Sequence, residues 1–186
     1  MKKLSILATL VVAALPAFAD YQIQFLTYNG GLSNPVFDTD GTTKLQNTFS
    51  GQLYTGTSSG SLTAIGTAQT FLTGAGAGFI EVGTAPTITS GTIFGGTAGF
   101  YQLRVWNTSA GSSFETAAAT VGAKIGSSAI TAVTFGGTPN GGGTPVFVPT
   151  SSLHASFSLT TVAVPEPATL ALGLFGAAGL LFRRRK

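Results

Sequence analysis

Cysteine is absent from the 186-residue sequence, and charged side chains make up only 8% of it. Without cysteine the chain can have no disulfide framework, no thiolate zinc site and no cysteine nucleophile. Soluble domains usually carry roughly 25% charged residues, so the low charge is a strong deviation. The 26 glycines would suit a disordered chain, but 44% hydrophobic residues are too many for one that stays unfolded. We therefore expect a folded, weakly charged protein without disulfides.

The net charge of +3 is concentrated at the two ends of the sequence. Residues 20–163 contain three basic residues, Lys44, Arg104 and Lys124, against five acidic ones, which gives a net charge of −2. Binding to a phosphate backbone needs a basic patch, and this stretch cannot supply one. We predict that nucleic acid is not a partner.

Residues 1–19 have the three-part order of a secretory signal peptide. Two lysines precede an apolar run, and the small-x-small cleavage pattern follows as Ala17-Phe18-Ala19. We predict that signal peptidase cleaves between Ala19 and Asp20. The mature protein would then work outside the cytoplasm.

The far end combines an apolar run with a cationic stop. Residues 168–182 are apolar except for Thr169, and the run ends at Arg183, Arg184, Arg185 and Lys186. Fifteen helical residues rise about 22 Å, short of the roughly 30 Å hydrocarbon core, but flanking arginines can snorkel. The positive-inside rule keeps the four cations in the cytoplasm. We predict a C-terminal transmembrane helix that anchors an inner-membrane precursor transiently, with residues 20–163 outside.

Val164, Pro165, Glu166 and Pro167 are followed in fixed order by the apolar run and the basic cluster. With these three features, residues 164–186 resemble the PEP-CTERM sorting signal of Gram-negative bacteria. The resemblance implies that an exosortase, a membrane enzyme, reads the motif at the outer membrane face. The two prolines would hold the backbone extended, with Glu166 as the charge to be recognised. It also implies a place in the envelope, exopolysaccharide or biofilm matrix. A tail-anchored helix that is never cut is the alternative.

Short apolar-polar runs, separated by Gly, Asn and Thr clusters, fill residues 20–163. They predict an all-β fold, a single antiparallel β-sandwich or jelly-roll-like domain. One short helix is expected within residues 113–121, capped by Ser112 or Ser113 and with Glu115 in its first turn. The candidate strands are residues 21–28, 49–54, 61–65, 70–72, 78–82, 100–106, 129–135 and 153–162.

The candidate strand at residues 100–106 alternates strictly. Its side chains divide into Tyr101, Leu103 and Val105 on one face and Gln102, Arg104 and Trp106 on the other. Aromatic rings on a sheet face can stack on sugars, so Trp106, Tyr101 and Arg104 are candidate glycan contacts, with exopolysaccharide as the ligand. The alternative is that these aromatics belong to the core, as most do in small β-domains.

Asp38-Thr39-Asp40-Gly41 is the sharpest cluster of polar residues. Asp38 and Asp40 are candidate calcium ligands, since calcium takes six to eight oxygen ligands. An EF-hand is excluded because Thr42 and Phe49 occupy the fifth and twelfth positions of the loop. The alternative is a turn in which each aspartate bonds to its own backbone.

Patterns of enzymatic nucleophiles, phosphate loops and dinucleotide sites are missing from the sequence. No residue is predicted to be catalytic, and no cofactor is expected. We predict a non-enzymatic, structural protein of the cell envelope or extracellular matrix. A cell-surface carbohydrate-binding module is the alternative. An enzyme acting on polysaccharide ranks third, because it needs two carboxylates about 5 Å or 6.5–9.5 Å apart in a cleft.

Overall fold

The computed structural model describes residues 20–23, 25, 27–29, 32–80, 87–89, 95–137 and 154–164. The predicted signal peptide at residues 1–19 and the predicted transmembrane helix at residues 168–182 lie outside the described residues. No helix in the described part of the chain is long and apolar enough to cross a membrane. The division into residues 1–19, 20–163 and 164–186 therefore stays a prediction.

Strands dominate the described residues, and three of them are ten residues long. One short helix, α1 (Phe114–Ala118), stands among them. The strands are β1 (Asp20–Gln22), β2 (Tyr28–Asn29), β3 (Leu32–Ser33), β4 (Val36–Phe37), β5 (Phe49–Ser58), β6 (Ser61–Thr70), β7 (Thr87–Thr89), β8 (Ala98–Asn107), β9 (Lys124–Ser127), β10 (Thr131–Thr134), β11 (Gly136–Gly137), β12 (Phe157–Ser158) and β13 (Thr160–Thr161).

Six strands form an antiparallel central sheet in the order β13-β9-β8-β5-β6, with β10 also paired to β8. β8 and β5 pair continuously from Phe49 opposite Asn107 to Gly56 opposite Phe100. On the other side of β8, β9 takes one half of the strand and β10 takes the other. β8 is therefore the central strand of the sheet, which agrees with its regular alternation in sequence.

Ser128 joins β9 to β10 along the edge of β8. Its amide donates to the Leu103 carbonyl at 2.9 Å, and its hydroxyl accepts from the Leu103 amide at 3.0 Å. The side-chain amide of Gln102 donates to the Ser128 carbonyl at 2.9 Å. The break at Ser128 explains why one predicted strand, residues 129–135, begins later as β10, while β9 was not predicted at all.

One face of the central sheet carries the main hydrophobic core. Tyr101, Leu103 and Val105 are each 0% exposed, which confirms the predicted alternation of β8. Gly51 of β5 lies under this core, where an added Cβ would sit 2.6 Å from the Ile80 Cδ1. The other buried members of the cluster are Ile23, Phe25, Val36, Leu45, Phe49, Leu53, Phe71, Ile80, Val133, Phe135 and Leu159.

The opposite face of the sheet carries a smaller apolar cluster beneath α1. Trp106, Ala117 and Ala123 are its buried members. The predicted short helix is confirmed. Ser113 is the N-cap, and the Ser113 hydroxyl accepts a hydrogen bond from the Thr116 amide. Glu115 lies in the first turn. Partly buried residues surround the cluster, namely Ala68, Ala110, Phe114, Ile125 and Val162.

Smaller pairings complete the fold. β1 pairs with β7 and β11, and β2 pairs with β3, all antiparallel. β4 and β12 pair in parallel, with Phe157 opposite Val36. The mostly β, largely antiparallel prediction is confirmed by the six-stranded sheet, and the parallel pair departs from it. Parallel neighbours need a long crossover, so no local sequence pattern indicates that they meet.

Candidate functional site

The polar residues on the α1 face of the sheet form one connected group. We call it the Arg104 cluster, made of Tyr54, Gln102, Arg104, Phe114 and Glu115. The Arg104 guanidinium lies 4.0 Å from the centre of the Tyr54 ring and 5.3 Å from that of Phe114. Its Nη1 is 3.3 Å from the Glu115 carboxylate, and its Nε donates to Gln102 Oε1 at 2.9 Å.

The strand register explains why these side chains meet. Tyr54 pairs with Gln102 across β5 and β8, and Arg104 follows two residues along the same face. α1 crosses above them and places Glu115 over the sheet. The Tyr54 hydroxyl lies 2.8 and 2.9 Å from the two Glu115 oxygens, so it donates to this carboxylate. The cluster therefore ties the helix to the two central strands.

The cluster holds its tyrosine in the protonated form. Burial raises the pKa of Tyr54, and the hydrogen bond to Glu115 raises it further, to about 12. A phenol with this pKa keeps its proton near neutral pH and is a poor general base. Glu115 is engaged by a phenol and a guanidinium at once. These contacts are those of a structural network.

Two of the three predicted glycan contacts are buried and do not form an exposed platform. Trp106 and Tyr101 are 1% and 0% exposed, so neither ring face is open to a sugar. The Trp106 indole donates to the Gly111 carbonyl at 2.9 Å and packs beneath α1, while Tyr101 packs in the main core. Only Arg104 reaches the surface, with 24% of its side chain exposed. A carbohydrate-binding module would need another surface.

Asp38 and Asp40 bond to groups of the protein itself. One Asp38 oxygen accepts from the Thr39 amide, and the other lies 2.7 Å from the Lys124 ammonium. Asp40 accepts from the amides of Thr42 and Thr43 and from the Thr43 hydroxyl. These contacts are those of the alternative to a calcium site, a turn in which the aspartates bond to nearby backbone amides.

The pKa values of the two aspartates follow from these contacts. Burial alone would raise the pKa of Asp38, but the Lys124 bond and the Thr39 amide outweigh it and lower the pKa. Hydrogen bonds from the Thr43 hydroxyl and from the amides of Thr42 and Thr43 lower the pKa of Asp40 to about 2. The described residues contain no group of three or more His, Cys, Asp or Glu side chains arranged for a metal. A calcium ion at Asp38 would compete with Lys124 for the carboxylate.

The last described residues leave the fold at the β13 edge of the sheet. Thr160 and Thr161 pair with Ile125 and Lys124 of β9. The Val162 amide then donates to the Ala123 carbonyl at 2.7 Å, and its carbonyl accepts from the Gly122 amide at 3.0 Å. The chain is thus held to the sheet through Val162. The predicted strand at residues 153–162 ends at this same residue.

Two of the residues in the predicted processing sites lie in the described part of the chain. Asp20, the predicted new N-terminus, begins β1, and Val164 is 64% exposed just beyond β13. The remaining residues of these predictions, which lie outside the described part, are Ala17, Ala19, Pro165, Glu166, Pro167, Arg183, Arg184, Arg185 and Lys186.

Comparison with known proteins gives one match, and it covers the C-terminal residues. Residues 163–186 match the family model described as the PEP-CTERM protein-sorting motif. No curated protein and no solved structure matches the chain. The match confirms the resemblance drawn from Val164 to Pro167 and the basic cluster. The chain carries a PEP-CTERM protein-sorting motif, and this motif implies an exported cell-surface protein that is sorted and processed by an exosortase.

Proposed function

We propose that this protein is a non-enzymatic, structural component of the cell envelope or extracellular matrix. A signal peptide exports it, and an exosortase processes it at Pro165-Glu166-Pro167. The observation that carries the proposal is the sorting motif at residues 163–186, which follows directly on a β-fold held through Val162. The motif addresses the protein to the cell surface, and the β-fold is the part that would act there.

The surroundings of three carboxylates support a structural role. Glu115 is bonded to Tyr54 and Arg104, and Asp38 is paired with Lys124. Asp40 is bonded within its own turn, and its low pKa keeps it ionised. A catalytic acid needs a raised pKa and access to substrate, so these contacts favour residues that hold the fold.

The sandwich arrangement belongs to the same proposal. A sheet whose core face buries Tyr101, Leu103 and Val105 needs a second layer against that face. The strands of the three-stranded sheet, β1, β7 and β11, are available for such a layer. A compact two-layer β-fold without disulfides would rely on this buried core for its stability outside the cell.

The sorting claim can be tested by the intact mass of the mature protein, which reports both ends at once. For the wild type we expect a chain that starts at Asp20 and has lost the segment after the motif. Glu166→Ala should leave the C-terminal segment attached and the product in the membrane fraction. Thr169→Ala is the matched control, because it alters the same region and keeps Pro-Glu-Pro intact. Normal release of Glu166→Ala would contradict recognition of this motif.

The structural claim is tested by where the processed chain is found. We expect it in the envelope or matrix fraction after gentle washing. Recovery of the processed protein entirely in the soluble medium, with none bound to cells or matrix, would contradict a structural role. The same cell fractions from the Glu166→Ala strain provide the membrane-retained reference.

A further inference from the structure

The β-fold keeps hold of the chain almost up to the sorting motif. Both backbone polar groups of Val162 are used in the sheet, and its side chain packs on the cluster around Trp106 and Ala123. Only Ala163 and Val164 separate this residue from Pro165. There is no flexible linker of the Gly/Ser-rich kind between the fold and the motif.

The short connection limits how far the motif can lie from the sheet. Three Cα steps at 3.3–3.6 Å each allow about 11 Å between Val162 and Pro165 when the chain is fully extended. One α-helix with its side chains is about 10–12 Å across. A protein that surrounds the motif with a wall only one helix thick therefore already reaches the β13 edge.

The surface at that edge combines the exposed threonines of β13 with two exposed valines. Val121 is 51% exposed and Val164 is 64% exposed, the two largest exposures among the large hydrophobic side chains in the described part of the chain. Val121 lies in the turn whose next residue, Gly122, bonds to Val162. Lys124, which lies opposite Thr161 in β9, is paired with Asp38 at 2.7 Å. Because both valines lie at the end of the fold from which the motif leaves, a protein that grips the motif would cover them.

We infer that this end of the fold, formed by the turn at Val121, β13 and Val164, docks against the exosortase while the enzyme processes the motif. The inference rests on the proposed function, because it takes exosortase processing as given. The occupant follows from the tether: whatever grips Pro165 lies within about 11 Å of Val162. The enzyme would thus read two features, the motif and the folded edge beside it.

The test uses the full-length chain in cells that carry the exosortase. Val121→Asp places a charge in the contact and should slow conversion of precursor to mature protein by about fivefold to tenfold, as expected for losing roughly 1–1.5 kcal/mol of apolar contact. Ile130→Asp is the matched control, because Ile130 is 43% exposed and lies outside this surface. Pulse-chase labelling measures the rate. Conversion of Val121→Asp at the wild-type rate, or equal slowing of both variants, would overturn the inference.

A spacer variant keeps the test independent of folding. About eight Gly and Ser residues inserted between Ala163 and Val164 separate the motif from the fold. If docking is real, Val121→Asp no longer changes the conversion rate in the spacer chain. An unchanged effect of Val121→Asp in the spacer chain would mean that the substitution acts through folding, and the inference would fail.

Photocrosslinking identifies the occupant and separates it from lipid. A photoreactive residue at position 121 of the intact precursor should give an adduct that contains the exosortase. The adduct should weaken in the Glu166→Ala background, where the motif is no longer gripped. An adduct with lipid alone would assign the surface to the membrane and overturn the inference. Failure of the proposed function looks different, since the wild-type precursor would then not be converted at all.

Discussion

The two faces of the central sheet are formed by alternate residues of the same strands, but different interactions stabilise them. On one face Leu103 and Val105 are completely buried in a large apolar cluster. On the other face Arg104 stacks on Tyr54 and bridges to Glu115 of α1. The first face depends on volume and close packing, and the second combines a smaller apolar cluster with directed polar contacts. Neighbouring residues of β8 should therefore differ widely in what they contribute to stability.

The largest expected effect tests this contrast within one strand. Leu103→Ala should lower the free energy of unfolding by about 2–5 kcal/mol, because it leaves a cavity in a packed core. Arg104→Met keeps the apolar stem and loses a partly exposed ion pair, so it should cost about 1 kcal/mol or less. Urea unfolding of the exported β-fold measures both. If Arg104→Met proves the more damaging substitution, the contrast between the faces is broken.

A substitution of intermediate effect adds volume to the core face. Gly51→Ala should destabilise by about 1–3 kcal/mol, because the new methyl would lie 2.6 Å from the Ile80 Cδ1. Ile80→Val removes the Cδ1 methyl of residue 80, so it should recover part of the lost stability in the double variant. Gly60→Ala is the matched control, since its added Cβ would have its nearest contact 4.0 Å away. Equal effects at the two glycines would refute close packing at Gly51.

The smallest expected effect on stability comes from a substitution in the Arg104 cluster, and titration of the tyrosines is the most sensitive way to detect it. Glu115→Gln should cost less than about 1 kcal/mol, since the side chain is 59% exposed. It should also lower the pKa of Tyr54 from about 12, though not to the ordinary value of 10.0, because burial is the larger cause. Absorbance titration of the phenols measures this, and Tyr54→Phe shows which part of the late titration belongs to Tyr54, since burial also raises the pKa of Tyr101.

The sign of the alkaline effect follows from the raised pKa of Tyr54. The folded protein keeps this proton to about pH 12, whereas the unfolded chain releases it near pH 10. The contribution to stability is therefore complete below pH 10 and is lost as the pH rises towards 12. An unfolding free energy that falls equally in wild type and Tyr54→Phe across this interval would remove Tyr54 from the explanation.

The sequence was most informative where one strand or helix carried its whole pattern locally. The alternation of residues 100–106 predicted the faces of β8, and Ser113 with Glu115 predicted the start of α1. β9 was missed because Lys124–Ser127 has no alternation and is positioned through β8 and β13. The parallel pairing of β4 with β12 depends on contacts between distant segments and has no local signal.

The candidate sites also differ in whether their residues are contiguous in the sequence or are brought together by the fold. The sorting motif is a contiguous pattern, so its residues alone are enough to recognise it, and it is matched at residues 163–186. The Arg104 cluster brings together two strands and a helix, and only Arg104 was singled out for its chemistry. Trp106 was considered for sugars, but a tryptophan in an alternating strand has no sequence feature that separates stacking on a ligand from packing under a helix. Its burial depends on α1 lying above it.

The parallel pair of β4 and β12 has a consequence for the timing of export. Phe157 pairs with Val36, 121 positions earlier, and the Leu159 amide donates to the Phe37 carbonyl at 3.0 Å. A chain that crosses the membrane from its N-terminus delivers β4 long before its partner, and such distant pairings form slowly. Folding can therefore be completed only when residues 157–162 have emerged, just ahead of the sorting motif. The fold can thus close no earlier than the emergence of the segment that directly precedes the sorting motif.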